Sequence, residues 1–260
     1  MAFQSGQIKL VGKIGDLSFY KTKNHDYQVR ERVGVTAARI ASDPNYIRTR
    51  ENNSEFGRAS IAAKALRNTF SPLIGKNKDE TSCSRLVGIM QQIIKLDPAN
   101  VRGKRVVTDK ETAILKSFEF NLNGRVRETV FTSYRGIIDR TVGTLSIHIP
   151  SFVPSKEINA PVGATHFKFK AGGAVFDFEA RSSALAVDES EVIAYGTMAQ
   201  PGMVLSCKLT PGLQKPLMLV FGVDFYQRVN GTDHLLNNSL RSGLCVVEVD
   251  ACDSGGALAV

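Results

Sequence analysis

The residue types able to do bond chemistry are spread thinly along this chain. Cys252-Asp253-Ser254-Gly255-Gly256 repeats the Asp-Ser-Gly-Gly that surrounds a serine-protease nucleophile. Such a serine needs an upstream histidine as base and backbone N–H groups to hold the oxyanion. Cys252 stands where that architecture requires glycine, and only Gly255 to Val260 remain to build a specificity pocket. The motif therefore reads as a flexible tail. His25, His148, His166 and His234 are well separated, without a cysteine, histidine or carboxylate at metal-ligand spacing. Asp188, Glu189 and Glu191 form an acidic cluster that reads as a solvated loop, lacking a calcium-loop pattern. Neither a Gly-x-x-x-x-Gly-Lys-Ser/Thr loop nor a dinucleotide fingerprint occurs, and Ala171-Gly172-Gly173-Ala174 reads as a hairpin turn. No catalytic residue, metal ligand or cofactor site is expected, and the chain does not read as an enzyme.

Positive charge is the remaining candidate chemistry. Residues 1–110 hold 20 Lys/Arg against 10 Asp/Glu, whereas residues 111–260 hold 13 against 15. The whole basic excess thus lies in the first two fifths of the chain. Such a split suits an anionic partner or charge-complementary contact between copies. Arg48 and Arg50, with Arg102, Lys104 and Arg105, are the candidate phosphate-binding residues, and Arg58 and Arg67 add to the same basicity. Tyr20, Tyr27 and Tyr46 lie near them in sequence as stacking candidates, without forming a known nucleic-acid module.

The elements that must position these groups change character along the chain. Gln7–Val11, Leu17–Lys21 and Tyr27–Arg32 are short β-prone runs, with Lys23-Asn24-His25-Asp26 as a turn between the last two. They make an extended basic arm with too few apolar groups for a core of its own. Residues 34–53, containing Asp43-Pro44, read as a connector. A helix follows from Ser54 as N-cap, carrying Phe56, Ala59, Ala63, Leu66 and Phe70 on one face. A second runs from Ser82 to Leu96 and stops before Asp97-Pro98, completing a helical hairpin.

From Ser117 onward the apolar pattern alternates. Phe118 with Phe120, then Val126–Phe131, Leu145–Ile149, His166–Lys170, Val175–Phe178, Val204–Leu209, Leu217–Phe225 and Leu244–Val249 are strand candidates. Asn230-Gly231 is a hairpin turn. The expected fold is α+β. A basic β-arm and connector (1–53) and a helical hairpin (54–110) precede an antiparallel β-sandwich or barrel (111–260).

Several classes are excluded by composition. The longest apolar stretch, around Pro216–Val223, is far short of the roughly 20 residues that cross a bilayer, so no membrane association is expected. The N-terminus lacks the apolar core and cleavage site of a secretory signal, which predicts retention in the compartment of synthesis or in an assembled particle. Cys83, Cys207, Cys245 and Cys252 are too dispersed for a disulfide framework and are expected to be reduced, as in a cytoplasmic protein.

Gly12-Lys-Ile-Gly-Asp-Leu-Ser-Phe-Tyr-Lys-Thr-Lys23 and Arg48-Thr-Arg-Glu-Asn-Asn-Ser-Glu-Phe-Gly-Arg-Ala59 resemble an uncharacterised protein family of Bacteroidetes genomes. Phe118-Glu-Phe-Asn-Leu-Asn and Asp224-Phe-Tyr-Gln-Arg-Val-Asn-Gly231 extend that resemblance over most of the chain. It brings no activity and no site residue with it. The Asn/Arg-rich entry to an alanine-bearing helix is also similar to phage-like structural proteins, which implies a role in assembly. The expected function is a self-assembling subunit whose basic arm contacts neighbouring copies. The alternative is a nucleic-acid-binding or genome-coating protein.

Overall fold

A computed structural model of the chain describes residues 2–22, 26–31, 34–75, 78–236 and 241–252. The chain divides into two compact units, Met1–Glu51 and Asn52–Val260.

The first unit is a small antiparallel sheet followed by helical turns. Its strands are β1 (Ala2–Phe3), β2 (Gly12–Ile14), β3 (Leu17–Lys21) and β4 (Tyr27–Glu31), in the order β1-β4-β3-β2. Gly15 sits at φ 55° in the two-residue turn that pairs Ile14 with Leu17. Glycine at the first central position is what a tight hairpin turn of that hand requires. β3 coincides with its expected span. Gln7–Val11 does not form the expected strand, because the Gln4 side chain takes both backbone groups of Leu10: Leu10 N donates to Oε1 (2.8 Å) and Nε2 donates to Leu10 O (3.1 Å). Lys23, Asn24, His25 and Arg32 lie outside the described residues.

The expected connector is instead helical. α1 (Ala37–Ser42) is capped by Thr36, whose hydroxyl accepts from Arg39 N at 3.3 Å. Asp43 then caps a 3-10 turn, Pro44–Tyr46, by accepting from Asn45 N (2.9 Å), and the turn runs straight into α2 (Ile47–Thr69). Asp-Pro is here a helix start, with proline pre-set for the first turn. Ser54 accordingly lies inside α2 rather than capping it, and Phe56 is exposed while Glu55, Ala59, Ala62, Ala63 and Leu66 are buried.

The second unit is α+β and three layers deep. Its helices are the remainder of α2, α3 (Ser71–Ile74), α4 (Ser82–Lys95), and the short α5 (Val126–Thr129) and α6 (Pro154–Glu157), with a 3-10 segment at Lys110–Leu115. Its strands are β5 (Arg135–Asp139), β6 (Thr144–Ile149), β7 (His166–Asp177), β8 (Ser182–Glu189), β9 (Ile193–Ala194), β10 (Met203–Lys208), β11 (Leu217–Val229), β12 (Thr232–Leu235) and β13 (Gly243–Asp250). The central sheet runs β12-β11-β7-β8, with β13 also on β11 and β9 also on β7; a second sheet runs β10-β6-β5. Every pairing is antiparallel.

Both faces of the central sheet are covered, which explains the unbroken apolar run in β11. Met218 and Val220 enter a core with Ala59, Leu66, Phe70, Leu86, Met90 and Ile93 of the helices. Leu217, Leu219, Phe221, Val223 and Phe225 enter another with Leu145, Ile147, Leu205 and Cys207 of the second sheet. A strand buried on both sides loses the polar alternation of a half-exposed one.

The same sandwiching overturns the hairpin expected at Ala171–Ala174, since β7 passes through those residues as one strand of 12. A Cβ on Gly172 would fall 2.3 Å from Leu73 Cδ1 of the helical layer, and one on Gly173 would fall 2.9 Å from Cys207 Cβ of the second sheet. These glycines admit close neighbours on opposite faces and do not make a turn.

Two other strand expectations fail for local reasons. Phe118 and Phe120 lie in a segment that hydrogen-bonds the outer edge of β13, with Ser117 N donating to Val246 O (2.8 Å) and Phe120 N to Leu244 O (2.9 Å). Val126 starts a single helical turn whose first N–H donates to Glu119 Oε2 at 3.3 Å. The Asn230-Gly231 hairpin forms as expected, with φ of 52° and 81° and Val229 opposite Thr232. β5 and β8, the latter opening Ser-Ser-Ala-Leu-Ala, carry too little β-branched or aromatic weight to announce themselves.

Candidate functional site

The candidate basic residues fall into two groups with different fates. In the first unit, Arg50 Nη1 donates to Ile40 O (2.7 Å) and Asp43 O (3.0 Å), satisfying carbonyls at the end of α1. Arg48, three residues from Glu51 on the same helix, pairs with it at 3.0 Å.

In the second unit the loop 97–106 is built around two organising side chains. Asp97 accepts from Ala99 N (2.9 Å), Asn100 N (3.2 Å), Asn100 Nδ2 (2.9 Å) and Val106 N (2.9 Å). Burial works against its charge, but these bonds prevail and hold its carboxyl down to about 2. From α2, Arg58 donates to Gly103 O (2.5 Å), Arg105 O (2.6 Å) and Ser54 Oγ (3.0 Å), while Glu55 accepts from Gly103 N (2.8 Å). The guanidinium of Arg58 is therefore a clasp on the loop backbone. The loop brings Arg102, Lys104 and Arg105 together. Arg102 donates to Asn52 Oδ1 (2.8 Å), Lys104 is exposed, and Arg105 is half-buried with Nε enclosed.

Beside this loop a groove of about 590 Å³ runs between α2, residues 106–110 and the β7–β8 hairpin. Its apolar wall includes Ala62, Ala65 and the stacked pair Phe176 and Phe178, 5.7 Å apart. Lys215 lies between Asp109 (3.8 Å) and Asp177 (3.4 Å). Burial raises the Asp109 carboxyl; Lys215 opposes this, and Asp177 and Glu179 add to it. Arg58, Lys110 and Arg181 also line the groove, so its charges nearly cancel and select neither cation nor anion.

The groups able to act as nucleophile or base are placed as follows. Cys245 lies inside the sheet, its thiol pushed far up by burial and by Glu119, with Tyr134 in hydrogen-bonding contact. A buried, protonated thiol is inert as a nucleophile. Glu119 is raised to about 7 by burial, against hydrogen bonds from Val126 and Arg127 backbone N–H groups. Ser146 Oγ meets His148 Nε2 at 3.1 Å on β6, and His148 is exposed. Cys252 is buried, with Sγ 3.7 Å from Gln214 Oε1, while Asp253–Gly256 lie outside the described residues. The acidic cluster is exposed at Glu189 and Glu191, as expected, but only Glu191 lies in a loop. Asp188 and Glu189 end β8, where Asp188 accepts from Ser206 N of β10 (2.6 Å) and Glu189 pairs with Lys168. Among the described residues no group of three His, Cys, Asp or Glu could hold a metal ion. No described helix is long and apolar enough to cross a membrane.

The feature that residue types alone did not reveal is the amphipathic sheet of the first unit. Its register places Ala2, Gly12, Ile14, Leu17, Phe19, Val29 and Tyr27 on one face, with Lys21 and Glu31 at opposite ends. Phe3, Lys13, Ser18, Tyr20, Gln28 and Arg30 share the other face, where Arg30 stacks over the Tyr20 ring at 5.5 Å. On the apolar face Ile14 is 59% and Leu17 43% exposed. The Gln4-closed loop carries Ile8 and Val11, 81% and 71% exposed. The signal that points to this face is the Gly15-Asp16 turn, because it sets which residues of β2 and β3 lie opposite one another.

No protein-family model and no curated protein matches the chain. A solved structure described as "pH-induced modulation of Streptococcus parasanguinis adhesion by Fap1 fimbriae" is similar over 44% of this chain and 76% of its own, at 11% identity and a TM-score of 0.21.

Proposed function

We propose that the chain is a non-enzymatic, self-assembling structural subunit, of a particle, tube or filament, whose N-terminal unit makes the contact between copies. The observation that carries this reading is the uncovered apolar face of the β1–β4 sheet. A small sheet gains stability by burying one face, and Ile14, Leu17, Ile8 and Val11 remain exposed in the folded chain. Clustered exposed apolar residues on a soluble chain mark an interaction surface.

Light scattering and negative-stain microscopy of the purified chain test the proposal. Concentration-dependent association into regular particles is expected, and a strictly monomeric species across concentration and salt contradicts it.

A nucleic-acid-coating role is the second reading, favoured by Arg102, Lys104 and Arg105 sharing one loop. Reversing those three charges would then lower the slope of log affinity against log salt by roughly one for each phosphate they neutralise.

A further inference from the structure

We infer that the partner of the N-terminal sheet is the same sheet of a second copy, packed face to face across a two-fold axis that lies perpendicular to the strands. This deepens the assembly proposal and rests on it. Register puts Ile14, Leu17 and Glu31 in one row, Ala2, Gly12, Phe19 and Val29 in the middle row, and Lys21 with Tyr27 in the last. The centre is apolar and the two ends carry opposite charges.

A face of this kind is complementary to itself in one orientation. A two-fold axis across the strands reverses the strand direction in the second copy, which lays each Lys21 over the other copy's Leu17–Glu31 row and forms two equivalent ion pairs. An axis along the strands would keep each row opposite itself, so that the two Lys21 would share one row of the interface and the two Glu31 the other. Like charges at an interface disfavour that arrangement, so charge selects the reversed one. Lys21 already extends over the face, its ammonium 5.0 Å from the Tyr27 ring centroid, and its long stem lets the charge reach sideways to the neighbouring strand. On the opposite face Lys13 and Arg30 are exposed and Phe3 is 67% exposed, while Gln28 between them is buried.

The size of the contact sets its strength. Two five-residue strands about 17 Å long, flanked at a spacing of about 4.8 Å by strands of two and three residues, offer roughly 250 Å² per copy, well below the roughly 800 Å² per partner of a standard stable interface. The contact is therefore reversible, and other contacts of the assembled array must add to it.

Sedimentation equilibrium on the full chain at low salt tests the pairing with four variants whose altered side chains are exposed. Lys21→Glu and Glu31→Lys should each raise the dimer dissociation constant roughly tenfold, because each replaces two attractive contacts by two repulsive ones. The double variant, Lys21→Glu with Glu31→Lys, should return within about twofold of the original. Lys13→Glu, the same charge change on the opposite face, should leave association unchanged. Circular dichroism confirms that each variant is folded. Single variants that associate like the original, or a double variant weaker than both singles, overturn the face-to-face pairing while the assembly proposal stands. An original chain that stays monomeric at every concentration overturns the assembly proposal itself, and the pairing with it.

Discussion

Two antiparallel sheets in this molecule meet opposite fates. The central sheet of the second unit is covered on both faces, by helices on one side and by β10-β6-β5 on the other. The sheet of the first unit gathers Ile14, Leu17, Phe19 and Val29 on one face, where Ile14 and Leu17 stay exposed. Both sheets carry an apolar face, and that of the first unit keeps some of its residues exposed. Folding free energy should therefore concentrate in the second unit and association free energy in the first.

That contrast can be broken most forcefully at Lys170. Its ammonium lies 2.6 Å from Asp224 Oδ2 and 2.6 Å from Leu73 O, joining β7, β11 and α3 inside the second unit. Lys170→Met deprives the Asp224 carboxylate of its ammonium, and the expected loss is about 3–5 kcal/mol in urea unfolding. A loss near zero would mean that the pair does not hold the helices on the sheet.

Glu119 gives the next largest effect, and a pH dependence of definite sign. Its carboxyl is raised to about 7 in the fold from an ordinary 4.5, so the folded state favours the protonated form. This contribution is complete below the unfolded value and is lost as pH rises through the folded one. Stability should fall by about 3 kcal/mol between pH 4.5 and 7 and then level off. Glu119→Gln should flatten the profile, as measured by urea unfolding at pH 5 and pH 8.

Asp97→Ala is the smaller perturbation. It removes the acceptor of four hydrogen bonds in the 97–106 loop, with an expected cost of about 2 kcal/mol and faster amide exchange at Val106. Smallest of all is Leu17→Ser in the first unit. It should change unfolding by less than about 0.5 kcal/mol, the usual range for exposed positions, while weakening association.

Much of this architecture was legible in the sequence where signals are local. The amphipathic α4, the Asn230-Gly231 hairpin and the apolar run of β11 each announce themselves through spacing or turn chemistry. Gly172-Gly173 misleads because the same glycines that permit a turn also permit two layers to close on a strand, and only the packing of Leu73 and Cys207 decides which. The basic residues are ambiguous for a related reason. Arg50 and Arg58 look like Lys104 in sequence, but backbone carbonyls lie within reach of the two arginines and engage them. The apolar face of the first sheet was hidden because a strand's facing partners are set by pairing rather than by its own alternation. Leu17–Lys21 reads correctly as a strand without telling which residues will stand beside Leu17.

The most direct test of the central claim is the association of the full chain carrying Ile14→Asp and Leu17→Asp together, followed by size-exclusion chromatography with light scattering over a concentration series. The account predicts that the original chain grows in mass with concentration. The double variant should remain monomeric, with the circular dichroism and urea midpoint of the original within about 0.5 kcal/mol. A double variant that associates as strongly as the original would contradict the claim that the first unit's uncovered sheet joins the copies.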